Sequence, residues 1–347
     1  MAERKTKVGF IGLGHNGLAH LRSHLASGAS EVVALCDRND ALLAAAATES
    51  GVRRVYREAR DLVQDPEVEA VSISTGDNDH REPFILAVAA GKHVLIEKPL
   101  ANSEEDVVAM VEAARQAGPR LKIQVGYVLR FNPVFVEVHR LCHAGALGEL
   151  YYLEGDYIHN LLYQKKQCDP VTGRNWYLED ERPMVGGGSH PLDLLRWFSG
   201  KQVVQVWGCS TRVAFPEMRH DDCQVCLYRF ADGTVAKVAA LYGPRCAMAP
   251  FYNLRVYGTL GTVERDTAAL SRTADEVHPA YAPVTADRVA GHPYLPEIQD
   301  WLDAIATDRP TRTPLWDGAN STMASLCACR AMRDRSVVEV PVFQPWA

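Results

Sequence analysis

Long apolar runs are scarce in this sequence of 347 residues: none is longer than Phe84–Ala90. A helix that spans a bilayer needs about 20 apolar residues, so no membrane segment is expected. A basic start (Arg4, Lys5, Lys7) leads into an apolar segment that Gly12, Gly14, His15 and Asn16 break at once. A signal peptide needs a longer apolar core than that. Excess positive charge is missing too: 37 Lys and Arg stand against 43 Asp and Glu, a formal net charge of −6. Nothing therefore marks a nucleic-acid partner. The nine cysteines lack framework spacing. Cys223 and Cys226 form one C-x-x-C inside a strand-like run, no second pair answers it, and Cys327 and Cys329 fall on a predicted helix. The chain reads as a cytoplasmic protein with reduced thiols. There is no H-E-x-x-H and no G-x-S-x-G, so neither a metal site nor a serine nucleophile is expected.

Apolar residues make up 47% and charged residues 23%, as in globular proteins. At about 150 residues per domain, the length suggests two domains. The first third alternates strand-like and helix-like segments. Lys7–Ile11, Glu31–Cys36, Ala70–Ser74 and His93–Ile96 read as buried strands. Helical spacing at Leu18, Leu21 and Leu25, an alanine-rich stretch capped by Asn39, Asp79–Ala90 with an early Pro83, and a segment opened by Ser103 lie between or after them. This alternation predicts a parallel sheet covered on both faces. After Val125 the texture changes: a helix over Asn132–His143, a strand over Glu149–Ile158, an irregular stretch Asn160–Met184, then a helix after Gly186-Gly187-Gly188. Strands follow over Val203–Val213, Gln224–Phe230, Val235–Tyr242 and Tyr252–Tyr257, with an Asp232-Gly233 hairpin turn. Helices near Pro296–Ala306 and Asp317–Met332 close the chain.

Gly12-Leu13-Gly14-His15-Asn16-Gly17 fits G-x-G-x-x-G between a strand and a helix, a context that aims free N–H groups at a pyrophosphate. Asp37, twenty residues beyond Gly17, ends the second strand where an acid can bond ribose hydroxyls. The expected cofactor is NAD, because Asp37 repels a 2′-phosphate; the Arg38 guanidinium leaves NADP open. The expected fold class is thus α/β: a Rossmann dinucleotide-binding domain over 1–125, then an α+β domain over 126–347 with a large, open, mainly antiparallel sheet.

Three segments together resemble the Gfo/Idh/MocA family of glucose–fructose oxidoreductase and inositol dehydrogenase relatives. They are Thr75-Gly76-Asp77-Asn78-Asp79-His80, Glu97-Lys98-Pro99 at the end of a strand, and Gly186-Gly-Gly-Ser-His190-Pro-Leu-Asp193. The resemblance runs from Val8 to about Met332. It implies an NAD(P)-dependent oxidoreductase that moves a hydride between a nicotinamide and a secondary alcohol of a sugar, inositol or related polyol. It assigns Lys98 to substrate binding and catalysis, and sets Glu97, Thr75, Gly76, Asp77 and His80 near the nicotinamide half of the cofactor. Chemically, an ammonium at Lys98 can stabilise charge developing on a hydroxyl oxygen. His190, whose imidazole titrates near ~6.5 when unperturbed, can take the hydroxyl proton. The three glycines before it would let a substrate or the nicotinamide approach the backbone. Asp193, one turn on, either orients that imidazole, binds a sugar hydroxyl, or is an ordinary first-turn acid.

The chain departs from the family at one place. Many relatives carry an Asp four residues before this histidine, whereas position 186 is Gly. Either His190 works with Lys98 alone, or another acid such as Asp156 or Asp193 substitutes, or the chemistry differs. Further substrate-side candidates are Tyr157, His159 and Asn160, with Asp156 on the opposite face of their strand, and Trp176, which is a pocket wall or a core residue. Arg130 is a ligand or a salt bridge, and His292 is a cleft residue or not. Two rival functions remain: redox-neutral glycoside elimination with bound NAD, and a silent dinucleotide sensor. A homodimer or homotetramer is implied by the resemblance alone.

Overall fold

The computed structural model describes residues 4–162, 164–166, 168, 173–248, 250–273, 275–285, 287, 289 and 291–346. The chain divides into two compact units. The first comprises Met1–Phe131, Ala290–Ala319 and Phe343–Ala347. Its six strands are β1 (Thr6–Ile11), β2 (Ser30–Cys36), β3 (Arg54–Tyr56), β4 (Ala70–Ile73), β5 (His93–Glu97) and β6 (Ile123–Gly126). They lie in the order β3-β2-β1-β4-β5-β6 with every pairing parallel. Such a sheet is covered on both faces, and so β4 is apolar but for Ser72 and buried throughout. The helices are α1 (His15–Ser27), α2 (Asp40–Ser50), α3 (Ala59–Gln64), α4 (Arg81–Ala89) and α5 (Glu104–Ala117). The Asn39 side chain accepts from the N–H groups of Ala41 and Leu42, and Ser103 accepts from Asp106, so both expected caps form. The helix expected from Asp79 starts two residues later, because Asp77–Asp79 closes a 3₁₀ turn first.

A late helix completes this unit. Ile298, Trp301 and Leu302 of α10 (Tyr294–Thr307) share a buried cluster with Val8, Phe10, Leu21, Leu35 and Leu95. Trp301 Nε1 donates to the Lys122 carbonyl (3.0 Å), and Gln124 Nε2 donates to that of Glu297 (2.9 Å). Residues 290–319 therefore fall with the dinucleotide-binding fold and not with the sheet-rich half.

The second unit comprises Asn132–Val289 and Asn320–Val342. Its sheet has nine strands: β7 (Leu150–Ile158), β8 (Val203–Thr211), β9 (Cys223–Phe230), β10 (Val235–Leu241), β11 (Arg255–Gly258), β12 (Gly261–Glu264), β13 (Thr267–Leu270), β14 (Tyr281–Pro283) and β15 (Val338–Glu339). Among these strands only β7–β10 pairs parallel. Gly233, at φ 95°, turns β9 into β10. Helices α6 (Pro133–His143), α9 (Ser189–Ser199) and the later part of α11 (Leu315–Asp334) belong with the sheet. Gly155 of β7 brings strand and helix together: a Cβ there would stand 2.8 Å from that of Pro191. By alternation Tyr157 shares that face of β7, and Glu154 and Asp156 take the other.

Two expectations for this unit are corrected. Tyr252–Tyr257 is not one strand, because Phe251, Tyr252 and Asn253 adopt φ of 50–55° and β11 starts only at Arg255. Aromatic β-propensity misleads here. The stretch 160–184 contains a 3₁₀ turn (Gln164–Lys166), the helical turn α7 (Trp176–Glu179) and the start of another, α8 (Pro183–Gly186). Residues 163, 167 and 169–172 of it lie outside the described residues.

Candidate active site

The glycine fingerprint uses each glycine differently. Gly12, at φ 90°, passes so close to β4 that a Cβ would stand 2.6 Å from the Ser74 carbonyl. A Cβ on Gly17 would collide with the Gly12 carbonyl, which seats α1 against the turn. Gly14, the N-cap of α1, meets nothing within 4 Å. That open space, at a helix start with no acidic side chain in its first turn, is where an anion would rest. Leu13 is buried, while His15 and Asn16 are exposed on the first turn. Asp37 braces the loop: its two carboxylate oxygens accept from the N–H groups of Leu13 and Asn39, each at 2.7 Å. Arg38 is exposed, 3.8 Å from Glu82. These residues fit a dinucleotide: a bare glycine where phosphate must approach, and an acid held at the strand end.

Lys98 follows β5 directly, and its N–H donates to Glu97 Oε2 (3.1 Å). Glu97 is buried and bonded to His20 Nε2 (2.9 Å). Burial works to raise its carboxyl, but the His20 bond and charge and the Lys98 ammonium prevail and hold it below the usual range. Asp77 goes the other way, raised by burial against the pull of His80 and Lys98. His80 is a strut: Nδ1 lies 2.9 Å from the Pro99 carbonyl and Nε2 3.2 Å from that of Thr75, tying the 75–80 turn to the Lys98-Pro99 corner. Thr75 donates to the Asp79 carbonyl (3.2 Å), and Gly76 is exposed beside it. His292 is exposed at its surface, and partial desolvation of its ring, then the Lys98 ammonium, lowers it. Arg130 resolves as an ion pair, fully buried against Asp317 at 2.6 Å.

In the second unit His190, 5% exposed, opens α9 with its ring stacked on Tyr157 (6.2 Å, 17°) and beside Tyr252 (6.0 Å). The left-handed Phe251–Asn253 turn carries Tyr252 there and directs the Asn253 amide to Asp156 (3.0 Å). Bulky residues in that region cost about 1–3 kcal/mol each, which the surrounding contacts must offset. Gln164 donates its amide to His159 Nε2 (3.1 Å), so the Nδ1 proton of His159 points to Tyr157 Oη (3.2 Å). Burial holds His159 below its ordinary value and Tyr157 well above its own. Both rings are therefore neutral near pH 7. Asn160 accepts from Leu162 in a turn, and Trp176 begins α7 with its ring edge-on to Tyr177 (5.1 Å).

Asp193 is buried and accepts from Ser321 (2.6 Å), which also accepts from Arg196 (2.6 Å). Two expectations fail at this site. Asp156 lies on the far face of β7, bonded by Lys237 (2.7 Å) and Asn253. The glycine triplet does not leave its backbone bare, because the chain's own side chains fill the space. A Cβ on Gly187 would stand 2.7 Å from Tyr242 Oη, and one on Gly188 2.7 Å from Met184 Sδ. Beside Gly186 stands the Glu181 carboxylate, 2.5 Å from where a Cβ would be for Oε2 and 2.6 Å for Cδ. Sequence reasoning passed over Glu181. The signal was Gly186 itself, since a glycine in a packed corner implies something lodged against it. Among the described residues no three His, Cys, Asp or Glu side chains converge as a metal site, and no helix is long and apolar enough to cross a membrane.

Comparison with known proteins matches both units. Residues 6–127 fit the model of the oxidoreductase family with an NAD-binding Rossmann fold, and 135–264 fit the GFO/IDH/MocA C-terminal domain. Inositol 2-dehydrogenase 2 of Saccharopolyspora erythraea is 29% identical over 337 residues, covering 92% of this chain and 91% of its own. Levoglucosan dehydrogenase, solved with NADH, superposes with a TM-score of 0.84 at 22% identity over 98% of this chain and all of its own. The myo-inositol 2-dehydrogenase of Lactobacillus plantarum does so at 0.79 and 21%, over 97% and all of its own. With family models matched on both units and the glycine fingerprint in place, the chain belongs to the Gfo/Idh/MocA family of NAD-binding oxidoreductases.

Proposed function

We propose that this protein is an NAD-dependent dehydrogenase that oxidises a secondary alcohol of a cyclic polyol or sugar, inositols foremost. The observation that carries the reading is the glycine loop: Gly14 faces open space while Asp37 is fixed by two backbone N–H groups. Gly12, Leu13, Gly14, His15, Asn16 and Gly17 would hold the pyrophosphate, with Asp37 and Arg38 at the adenosine ribose. Thr75, Gly76, Asp77, His80, Glu97 and Lys98 would hold the nicotinamide side. When bound, the nicotinamide supplies the hydride acceptor. Lys98 binds the substrate hydroxyl and stabilises the charge that develops on its oxygen. His190 takes the hydroxyl proton. Tyr157 and His159 bond neighbouring hydroxyls, and Asn160 and Trp176 bound the substrate. The relatives named inositol 2-dehydrogenase support the substrate class. NAD is preferred to NADP because the Asp37 carboxylate repels a 2′-phosphate.

A cytoplasmic homodimer or homotetramer completes the reading. It is supported by apolar residues on the open sheet face, where Trp207 and Leu227 pair in register at 44% and 45% exposure.

Purified protein mixed with NAD⁺ or NADP⁺ and a panel of inositols, aldoses and glycosides should form NADH with at least one inositol or sugar. Lys98→Ala and His190→Ala should each lower kcat by about 10²–10⁴-fold. Glycoside cleavage without net NADH would replace the reading with redox-neutral elimination. Tight NAD binding with no turnover would replace it with sensing.

A further inference from the structure

The corner at Gly186 holds a buried carboxylate, that of Glu181. Glu181 is 4% exposed and lies two residues beyond the α7 turn, not on α9. Its side chain takes the volume that a side chain at 186 would occupy. Tyr242, fully buried, donates its hydroxyl to Oε1. Burial and the neighbouring Glu181 charge keep that phenol protonated, well above its ordinary range. The Tyr242 ring lies 5.8 Å from Tyr157, which stacks on His190. Gly187 admits both tyrosines, since a Cβ there would meet each of them. Two consecutive glycines thus give way to one acid and two phenols that arrive from α7, β7 and the end of β10.

Desolvating a carboxylate is costly and persists where a partner or a function offsets it. Its field in such surroundings is weakly screened. We propose that Glu181 is the positioning carboxylate of the substrate half: seated on Gly186 and bonded by Tyr242, it stabilises the cation formed when His190 accepts a proton. It thereby answers the empty position 186. This rests on the dehydrogenase reading above.

The test is a side-chain swap, read by kcat, KM, NADH binding and thermal midpoint. Glu181→Gln keeps the size and the acceptor for Tyr242 but removes the charge, so kcat should fall about tenfold or more with KM and the midpoint little changed. Glu181→Ala should fall at least as far. Gly186→Asp alone should be worse, because two carboxylates contend for one space. Glu181→Ala combined with Gly186→Asp should recover activity relative to Glu181→Ala. A Glu181→Gln protein with wild-type kcat overturns the inference and leaves the dehydrogenase reading intact. So does a folded double variant no more active than Glu181→Ala. If the double variant does not fold, Glu181→Gln decides alone. A wild-type protein silent on the whole panel overturns the dehydrogenase reading, and the inference with it.

Discussion

One added carbon has opposite consequences at the last two glycines of the fingerprint. Gly14→Ala should fold normally, because its added methyl meets open space, yet weaken NADH binding about tenfold or more, a loss of ~1.4 kcal/mol per decade. Gly17→Ala should lose folded protein, since the methyl collides with the Gly12 carbonyl. An NADH titration beside a thermal melt separates the two. Another residue-scale expectation concerns His24, bonded to Ser30 (2.8 Å) and edge-on to Phe10 and Trp301. Burial, then the neighbouring His20, pushes it down to about 3 from 6.5. The unfolded chain therefore binds the proton first, and stability falls as pH drops through about 6.5, by about 2 kcal/mol at about pH 5. His24→Asn should flatten the dependence of the melting midpoint on pH in that interval. The fingerprint and Asp37 were legible in the sequence because their geometry is local. Glu181 was not, because its reach to Gly186 depends on how α7 and α8 fold back.

Helix α10 was expected near its true place, from apolar residues at helical spacing. What that spacing does not encode is the partner: the face bearing Ile298, Trp301 and Leu302 suits any core, and it joins β1 and α1. The same packing buries Glu297 completely, and burial, then Glu97 and Asp300, raises its carboxyl well above the usual range. The fold thus favours its acid form over its anion. Stability is full below the unfolded value of 4.5 and is lost as pH rises toward the folded one. Glu297→Gln should raise the melting midpoint at about pH 8 and change it little near about pH 4. Short strands were the other elements missed. β3 has three residues, and β12, β13 and β14 have four, four and three, too few to display alternation.

At the scale of the whole molecule, the parallel sheet and the mainly antiparallel sheet were both legible, one from strand–helix alternation and the other from hairpin turns. The proposed assembly of copies can be tested at the exposed sheet face. Trp207→Asp and Leu227→Lys together should lower the mass seen by light scattering if that face joins subunits, with NADH binding retained.

The path of the chain limits how the protein can be divided. It leaves the first unit after Phe131, returns at Ala290, leaves again after Ala319 inside the continuous helix α11, and comes back at Phe343. Genetic dissection at residue 131 would strip Trp301 and its neighbours from the core they complete, leaving apolar surface on β1 and α1. An independently stable cofactor-binding module must instead be spliced, with 4–131 joined to 291–319 through a short linker. That hybrid, unlike the simple truncation, should stay monodisperse and bind NADH.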